Sequence, residues 1–215
     1  MNNKKFRILL AFSMLFCAGC NFSPSIPFND IKQNKVSAVQ ASIDKGADVN
    51  RVDLDGATPL MIAAAAGAYD VAELLIKQDA EIDAKDHNGF TPLMHAAVRN
   101  SYRIAELLIE KGADVEARDN DGDVVLFFCV PYSSVDVAQL LIEEGADINA
   151  KSSSGSELTV LLYAIEMGSV DIVKLLLESG ADTDIASKQG VSSAQLAAAK
   201  GNAEIVNLFK KPIDN

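Results

Sequence analysis

The chain has 215 residues, of which 49% are hydrophobic and 23% charged, a composition that excludes an intrinsically disordered or collagen-like protein. Its 19 lysines and arginines are outnumbered by 30 aspartates and glutamates, for a formal net charge of -11. This balance argues against a protein that binds nucleic acid or an anionic lipid surface. Only two histidines and three cysteines are present, with no tryptophan. The shortage of catalytic and metal-binding residue types favours a binding protein.

The amino terminus has the layout of a secretory signal. Three basic residues lie within the first seven positions, and an apolar run follows from Ile8 to Phe16. Such a run is far shorter than the roughly 20 residues of a membrane-spanning helix. We therefore predict a signal over residues 1–19 rather than a membrane span.

The end of this segment, Cys17-Ala18-Gly19-Cys20, resembles the lipobox of bacterial lipoproteins. The resemblance implies a lipoprotein-type signal over residues 1–19, lipidation of Cys20, a short linker to residue 24, and a location on the periplasmic face of the cell envelope. Asn21 after the cysteine implies the outer membrane. Position 17 departs from the lipobox, which usually has leucine there, so a plain cleaved signal with a free Cys20 is the alternative.

Export would leave a strongly acidic protein with one thiol. Loss of residues 1–19 removes three basic and no acidic residues, which leaves 16 basic against 30 acidic side chains and a net charge of -14. With Cys20 lipidated, only Cys129 remains as a thiol, so no intramolecular disulfide can form. We expect packing alone to hold the fold.

Two short phrases recur along the rest of the chain at a nearly constant spacing. A Gly-Ala-Asp-like triplet and a turn glycine both return at intervals of 33, 33, 33 and 35 residues. The triplets begin at Gly46, Asp79, Gly112, Gly145 and Gly180, and the turn glycines are Gly56, Gly89, Gly122, Gly155 and Gly190. Two phrases in one register predict a protein built from repeats.

Each repeat contains the signals for two helices. In Gly56-Ala57-Thr58-Pro59-Leu60, glycine supplies a positive φ, threonine caps a helix, and proline takes a first helical position that needs no N–H partner. A second helix follows with apolar residues at i, i+3 and i+4, such as Val71, Leu74 and Leu75, and the glycine of the triplet ends it. Because one unit of this size cannot bury its apolar face, the units must stack into a solenoid.

With these phrases, the chain resembles the ankyrin repeat family over about residues 25–215. The resemblance implies an all-α ankyrin repeat solenoid of about five repeats, with helix-turn-helix units joined by β-hairpin-like turns, and a degenerate N-terminal capping unit. The predicted units are 25–51, 52–84, 85–117, 118–150, 151–185 and 186–215. The family's usual histidine after Thr-Pro-Leu is absent, since Met61 and Met94 stand there, and apolar packing replaces its hydrogen bond.

The unit over 118–150 breaks the repeat pattern. Its first helix starts without threonine or proline, and Pro131 lies well inside that helix, which it should shorten or kink. The next unit carries two extra residues between Gly155 and Thr159. Both irregularities lie on the turn and first-helix side, which resembles the concave recognition surface of ankyrin proteins. Functional specialisation and neutral drift are both compatible with this placement.

The repeat register predicts which side chains line that surface. Candidate partner-binding residues in the turns are Leu54, Asp55, Ala57, His87, Asn88, Phe90, Asn120, Asp121, Asp123, Ser154, Ser156 and Glu157, and those at the ends of first helices are Ala66, Arg99, Tyr132, Met167 and Lys200. Phe90 and Tyr132 are predicted to be exposed aromatic anchors. The alternative for Phe90 is packing against a neighbouring turn.

Few residues suggest chemistry. Asp119, Asp121 and Asp123 superficially resemble a calcium loop, but other units have similar turns, and the expected bidentate glutamate is not in place. His95 and Cys129 occupy apolar positions of first helices, where we expect a core or rim histidine and a buried thiol. We therefore predict that the protein has no catalytic residue, no metal site and no cofactor.

The sequence favours a noncatalytic protein-protein interaction module that is exported, lipid-anchored and monomeric. We expect a protein partner on the concave face, with basic character, and contact with a membrane only through the lipid. Resemblance to ankyrin repeat lipoproteins implies, as one version, an immunity protein that neutralises a basic secreted toxin such as a lipase effector. An envelope scaffold or stress-protection protein fits equally well. The alternative of another class is a divalent-metal-dependent hydrolase that uses the turn carboxylates.

Overall fold

The computed structural model describes residues 24–153 and 157–210. Over these residues the chain forms paired helices stacked in two layers, and β structure is limited to two isolated bridges, Arg118 with Val124 and Lys151 with Thr159. The predicted all-α solenoid is confirmed. No helix in the described part of the chain is long and apolar enough to cross a membrane. The predicted signal, Cys20, Ser154 and Ser156 lie outside the described residues.

The first helix of every repeat belongs to one layer and the second helix to the other. The first-helix layer contains α1 (Phe28–Lys32), α3 (Pro59–Ala66), α5 (Pro92–Val98), the 3-10 helix η1 (Val125–Cys129), α8 (Val160–Met167) and α10 (Ser193–Lys200). The second-helix layer contains α2 (Val36–Asp44), α4 (Tyr69–Lys77), α6 (Tyr102–Glu110), α7 (Val135–Glu143), α9 (Val170–Glu178) and α11 (Ala203–Leu208). Neighbouring helices of each layer contact one another along the stack.

Hydroxyl caps start most of the first helices. The side-chain oxygens of Thr58, Thr91 and Thr159 accept hydrogen bonds from the backbone N–H groups three residues later, at 3.3, 3.4 and 3.2 Å. Such a cap satisfies one of the donors that a helix leaves unpaired at its start.

The 3-10 helix η1 lacks a hydroxyl cap. Its N-cap residue is Val124, which provides no side-chain hydrogen bond, and Pro131 follows two residues after the helix ends. A proline at this position has no N–H to donate and would collide with the carbonyl four residues earlier. The prediction that Pro131 shortens the first helix of this unit is confirmed.

A continuous core lies between the two layers. In each regular repeat an apolar residue at the start of the first helix and one in the second helix are both buried in this core, as with Leu93 and Ile104, which are 0% and 1% exposed. Full burial of one such side chain contributes about 1.5–3 kcal/mol. The irregular unit keeps this pattern, since Leu126 and Val137 are equally buried. The distorted helix is therefore still part of the stack.

Hydrogen bonds join each turn to the next. The backbone N–H of His87 donates to the carbonyl of Asp55 at 3.1 Å, and that of Asn120 donates to Asn88 at 3.0 Å. Two successive turns can come this close only if the earlier one carries glycine, because a Cβ at Gly89 would lie 2.6 Å from the backbone nitrogen of Asn120. Gly89 also has a φ of +84°, which disfavours other residues.

The loops after the second helices are connected by side chains. A polar side chain of one loop accepts a hydrogen bond from a backbone N–H of the next loop. The pairs, with their distances, are Asn50 with Glu81 (2.9 Å), Asp83 with Asp114 (3.2 Å), Glu116 with Asp147 (2.7 Å) and Asn149 with Asp182 (2.8 Å). These bonds hold successive units in one register.

We expect Gly89→Ala to lower the free energy of unfolding clearly more than Gly112→Ala. Both glycines have a positive φ, +84° and +91°, and an alanine there costs about 1–2 kcal/mol. A Cβ at Gly112, however, meets nothing within 4 Å, so only the substitution at Gly89 also pushes two turns apart. Denaturant unfolding of both variants measures the difference. Equal losses would show that the contact between the turns contributes nothing.

Candidate protein-binding surface

The exposed side of the first-helix layer and the tips of the turns together form one surface, which we call the first-helix surface. It contains most of the residues that the repeat register predicted for partner binding. Exposed there are Leu54, Asp55, Ala66, His87, Asn88, Arg99, Asn120, Asp121, Tyr132, Glu157, Met167 and Lys200. The most exposed large apolar side chains are Leu54 at 96% and Tyr132 at 64%.

An aspartate organises each of the first three turns. Asp86 Oδ1 accepts hydrogen bonds from the backbone N–H groups of Asn88 and Phe90, at 2.8 and 2.9 Å. Asp53 and Asp119 accept the equivalent pairs in their own turns. These carboxylates are thus used inside the turn, where they satisfy backbone donors.

This turn geometry accounts for the resemblance to a calcium loop. Asp119 is occupied by the backbone N–H groups of Asp121 and Asp123, both at 2.9 Å. Within residues 24–153 and 157–210, no group of three or more His, Cys, Asp or Glu residues is arranged to hold a metal ion. Asp119 thus has a structural role in its turn.

The prediction that Phe90 is an exposed anchor is wrong, because its ring is half-buried. It packs edge-to-face on Phe128 of the next repeat, with 4.6 Å between ring centroids, and lies 5.8 Å from the ring of His95. Such pairs contribute about 0.5–1.5 kcal/mol beyond the burial of area. The alternative weighed for Phe90, packing against a neighbour, is the correct one.

Asp123 also differs from its prediction as an exposed tip. Its side chain is half-buried, and its Oδ1 atom is buried without a hydrogen-bond donor among the described residues. Burial raises the pKa of Asp123, and the nearby charges of Asp119 and Asp121 add to this, whereas a hydrogen bond from Ser152 opposes it. An opposite charge or a hydrogen-bond donor placed near such a carboxylate would favour its ionised form.

The register analysis missed a column of aromatic side chains on this surface. His95, Phe128 and Tyr163 occupy the same position in three successive first helices, and all three are half-buried. Tyr163 lies 5.7 Å from Phe127 between ring centroids, and His95 Nε2 lies 3.1 Å from Asp86 Oδ2. An alignment of the repeats could have found this column, because the units over 52–84 and 186–215 have the aliphatic residues Ile62 and Leu196 at the same position.

Cys129 is not part of the surface. Its side chain is 0% exposed, and burial raises the pKa of its thiol far above the usual range. The equivalent residues Ala63, Ala96 and Ala164 are also fully buried. The predicted buried thiol is confirmed, and a thiol in this environment is a poor nucleophile.

Comparison with known proteins identifies the family. A family model described as ankyrin repeats, in three copies, matches residues 29–119, 87–152 and 126–215. These matches together span most of the chain.

The chain belongs to the ankyrin repeat family. No curated protein matches it. Ankyrin repeats indicate a protein-protein interaction module, and the first-helix surface provides what such a module needs: partly exposed aromatic rings, carboxylates and a rigid support. The described surface contains the mixture of apolar and polar groups that is typical of protein interfaces.

Phe90→Ala is expected to destabilise this ankyrin domain, by about 1–3 kcal/mol, because it removes the ring that packs on Phe128 and His95. Tyr132→Ala should change the free energy of unfolding by no more than about 0.5 kcal/mol, since that side chain is 64% exposed. Urea unfolding followed by far-ultraviolet circular dichroism measures both. A large loss in Tyr132→Ala would place this tyrosine in the core.

Proposed function

We propose that this ankyrin repeat protein is a noncatalytic binding module that holds a protein partner on its first-helix surface, centred on η1. The aromatic column of His95, Phe128 and Tyr163 supports this, since it lies beside the exposed Tyr132. Aromatic side chains that a partner can desolvate provide most of the binding energy in many interfaces. Phe128 and Tyr132 belong to the unit over 118–150, whose first helix is the 3-10 helix η1 and not an α-helix.

Charge supports a basic partner. Asp121 is exposed in the turn before η1, and Asp123 of the same turn is half-buried near Tyr163. Glu157 is exposed in the next turn, where it pairs with Lys188 at 3.2 Å. Most of the cations near the turns are already engaged: Lys85 donates to the carbonyl of Arg118 at 2.7 Å, and Arg118 donates to that of Gly122 at 2.6 Å. The surface thus presents carboxylates with few free cations, which attracts and orients a cationic partner.

The setting that we propose is the bacterial envelope, with the domain exported and attached to the membrane through lipid on Cys20. The basic start, short apolar run and lipobox-like Cys17-Ala18-Gly19-Cys20 support this proposal. In its sharpest form the protein is an immunity protein that covers the active site of a basic secreted toxin such as a lipase effector. An envelope scaffold would use the same surface for a resident partner.

Capture of partners by the full-length protein tests the binding surface. We expect Tyr132→Ala to reduce the recovery of the specific partner strongly, because an anchor residue at an interface contributes about 2 kcal/mol or more. Val36→Ala is the control, since it shortens an apolar side chain that is 37% exposed at the start of α2, on the opposite, second-helix layer. Mass spectrometry of the eluates compares the three proteins.

The pattern of losses distinguishes the possibilities. Loss in Tyr132→Ala alone supports the first-helix surface, and a basic secreted toxin as the lost protein would support the inhibitor version, whereas a resident envelope protein would support the scaffold. Loss in Val36→Ala alone would place the partner on the other layer and contradict the proposal.

Lipid attachment has its own test. Cells that produce the full-length protein and take up radiolabelled palmitate should incorporate the label into it, and Cys20→Ser should abolish incorporation because it removes the acylated thiol. Cys129→Ser is the matched control, since that thiol is buried and should not affect labelling. A cleaved but unlabelled wild-type protein would favour the plain secretory signal instead.

A further inference from the structure

The second-helix layer carries an open groove beside Tyr102. The groove lies between α6 and α7, has a volume of about 470 Å³, and is lined by Tyr102, Val135, Asp136, Gln139, Leu140 and Glu143. Tyr102 is the first residue of α6 and is 40% exposed. Aromatic and aliphatic side chains therefore meet carboxylates here, on the layer that the proposed partner-binding surface does not use.

The preceding repeat shows what binds at the equivalent position. Tyr69 stands one period of 33 residues before Tyr102, at the first position of α4. The guanidinium carbon of Arg103, from the next repeat, lies 4.1 Å from the centroid of the Tyr69 ring. This is a cation-π contact, in which the positive guanidinium is attracted to the negative face of the ring.

At Tyr102 the chain does not supply that cation. The residue equivalent to Arg103 in the following repeat is Asp136, and the described residues contain no cation-π contact with Tyr102. Asn100 Nδ2 donates to Asp136 Oδ2 at 2.9 Å, while Asn100 Oδ1 accepts from the backbone N–H of Val137 at 3.2 Å. These bonds hold the carboxylate at the boundary between the two repeats, beside the tyrosine.

Three carboxylates make the surroundings of Tyr102 negative. Its hydroxyl donates to Glu106 at 3.2 Å. The pKa of Tyr102 is raised, first by this hydrogen bond and the charge of Glu106 and then by the charges of Glu143 and Asp136. None of the three carboxylates takes part in the ion pairs found among residues 24–153 and 157–210.

Among the boundaries between the described second helices, only this one combines an aromatic ring with a carboxylate. The positions equivalent to Tyr102 and Asp136 hold Val36 and Asp70 at one other boundary, Val135 and Asp171 at another, and Tyr69 and Arg103 at a third, where the ring already has its guanidinium. The ring of Tyr102 thus keeps its electronegative face available in a negative environment. A planar guanidinium suits such a site better than an ammonium, since it stacks on the ring and donates to a carboxylate in one geometry.

We propose that this groove binds an arginine side chain from a basic peptide segment. The guanidinium lies over the ring of Tyr102, as that of Arg103 lies over Tyr69, and donates to Asp136 or Glu143. Its aliphatic stem packs along Val135 and Leu140. This second site is independent of the first-helix surface and would hold a basic segment of a partner on the opposite layer.

Titration of the full-length protein with the peptide acetyl-Gly-Arg-Gly-Arg-Gly-amide tests the site, with methyl nuclear magnetic resonance shifts of Val135 and Leu140 as the readout. We expect both methyl groups to shift with a common saturating dependence. Asp136→Arg should weaken binding at least about tenfold, because it places a guanidinium of the chain itself over Tyr102, as Arg103 lies over Tyr69.

Asp70→Arg is the matched control, since it makes the same change of charge at a boundary where Asn34 holds the carboxylate as Asn100 holds Asp136, and where the equivalent neighbour is Val36 and not an aromatic residue. This variant should change the dissociation constant of the peptide by no more than about twofold, because only the long-range effect of the changed charge remains. Tyr102→Phe should retain binding and Tyr102→Ala should lose it. Equal weakening by the two aspartate variants, or a lack of shifts at Val135 and Leu140, would overturn the proposal.

Discussion

Burial of each helix pair against its neighbours is the constraint on which the rest of this ankyrin domain depends. Within residues 24–153 and 157–210 no disulfide contributes, because Cys129 is the one cysteine there and is a free, buried thiol. Stability must come from apolar side chains such as Leu93 and Leu126, which meet only when successive repeats keep one register. The turn glycines and the side chains that bridge consecutive loops enforce that register. A substitution that distorts one turn is therefore expected to destabilise both repeats that the turn contacts.

The irregular repeat illustrates how far this constraint can be relaxed. Without a threonine cap and with Pro131 close behind, its first helix becomes a short 3-10 helix. Its buried residues, Leu126 and Cys129, nevertheless occupy the positions that the neighbouring repeats fill with leucine and alanine. Phe128 keeps the half-buried position that His95 and Tyr163 have in the neighbouring repeats, and Tyr132 is exposed just after the 3-10 helix. Packing tolerates the change because the core positions are conserved in size along the chain's own repeats.

The acidic residues of this protein do two different jobs. Asp86 and Asp119 accept backbone N–H groups within their turns, so their charge is part of the fold. Asp123 and Asp136 are not used in that way: one is half-buried near an aromatic column, and the other lies beside an uncovered tyrosine ring. The net charge of -11 therefore does not by itself distinguish carboxylates that hold the fold from those that are free to contact other molecules.

The amino-acid sequence alone determined the helices, their order and the weak point at Pro131. Those features depend on local signals, namely caps, glycines at positive φ and apolar spacing, which repeat every 33 residues and reinforce one another. It also located most of the exposed turn residues, such as Leu54 and Asn88.

Only the tertiary structure decided how side chains from different repeats meet. Phe90 is half-buried because Phe128 comes from the next unit, and Asp123 is desolvated by its surroundings across a turn. Tyr69 and Tyr102 have the same place in the repeat, yet only one is covered by a guanidinium. Such differences arise from the neighbouring repeat rather than from the residue's own segment, and a pattern read along one unit does not contain them.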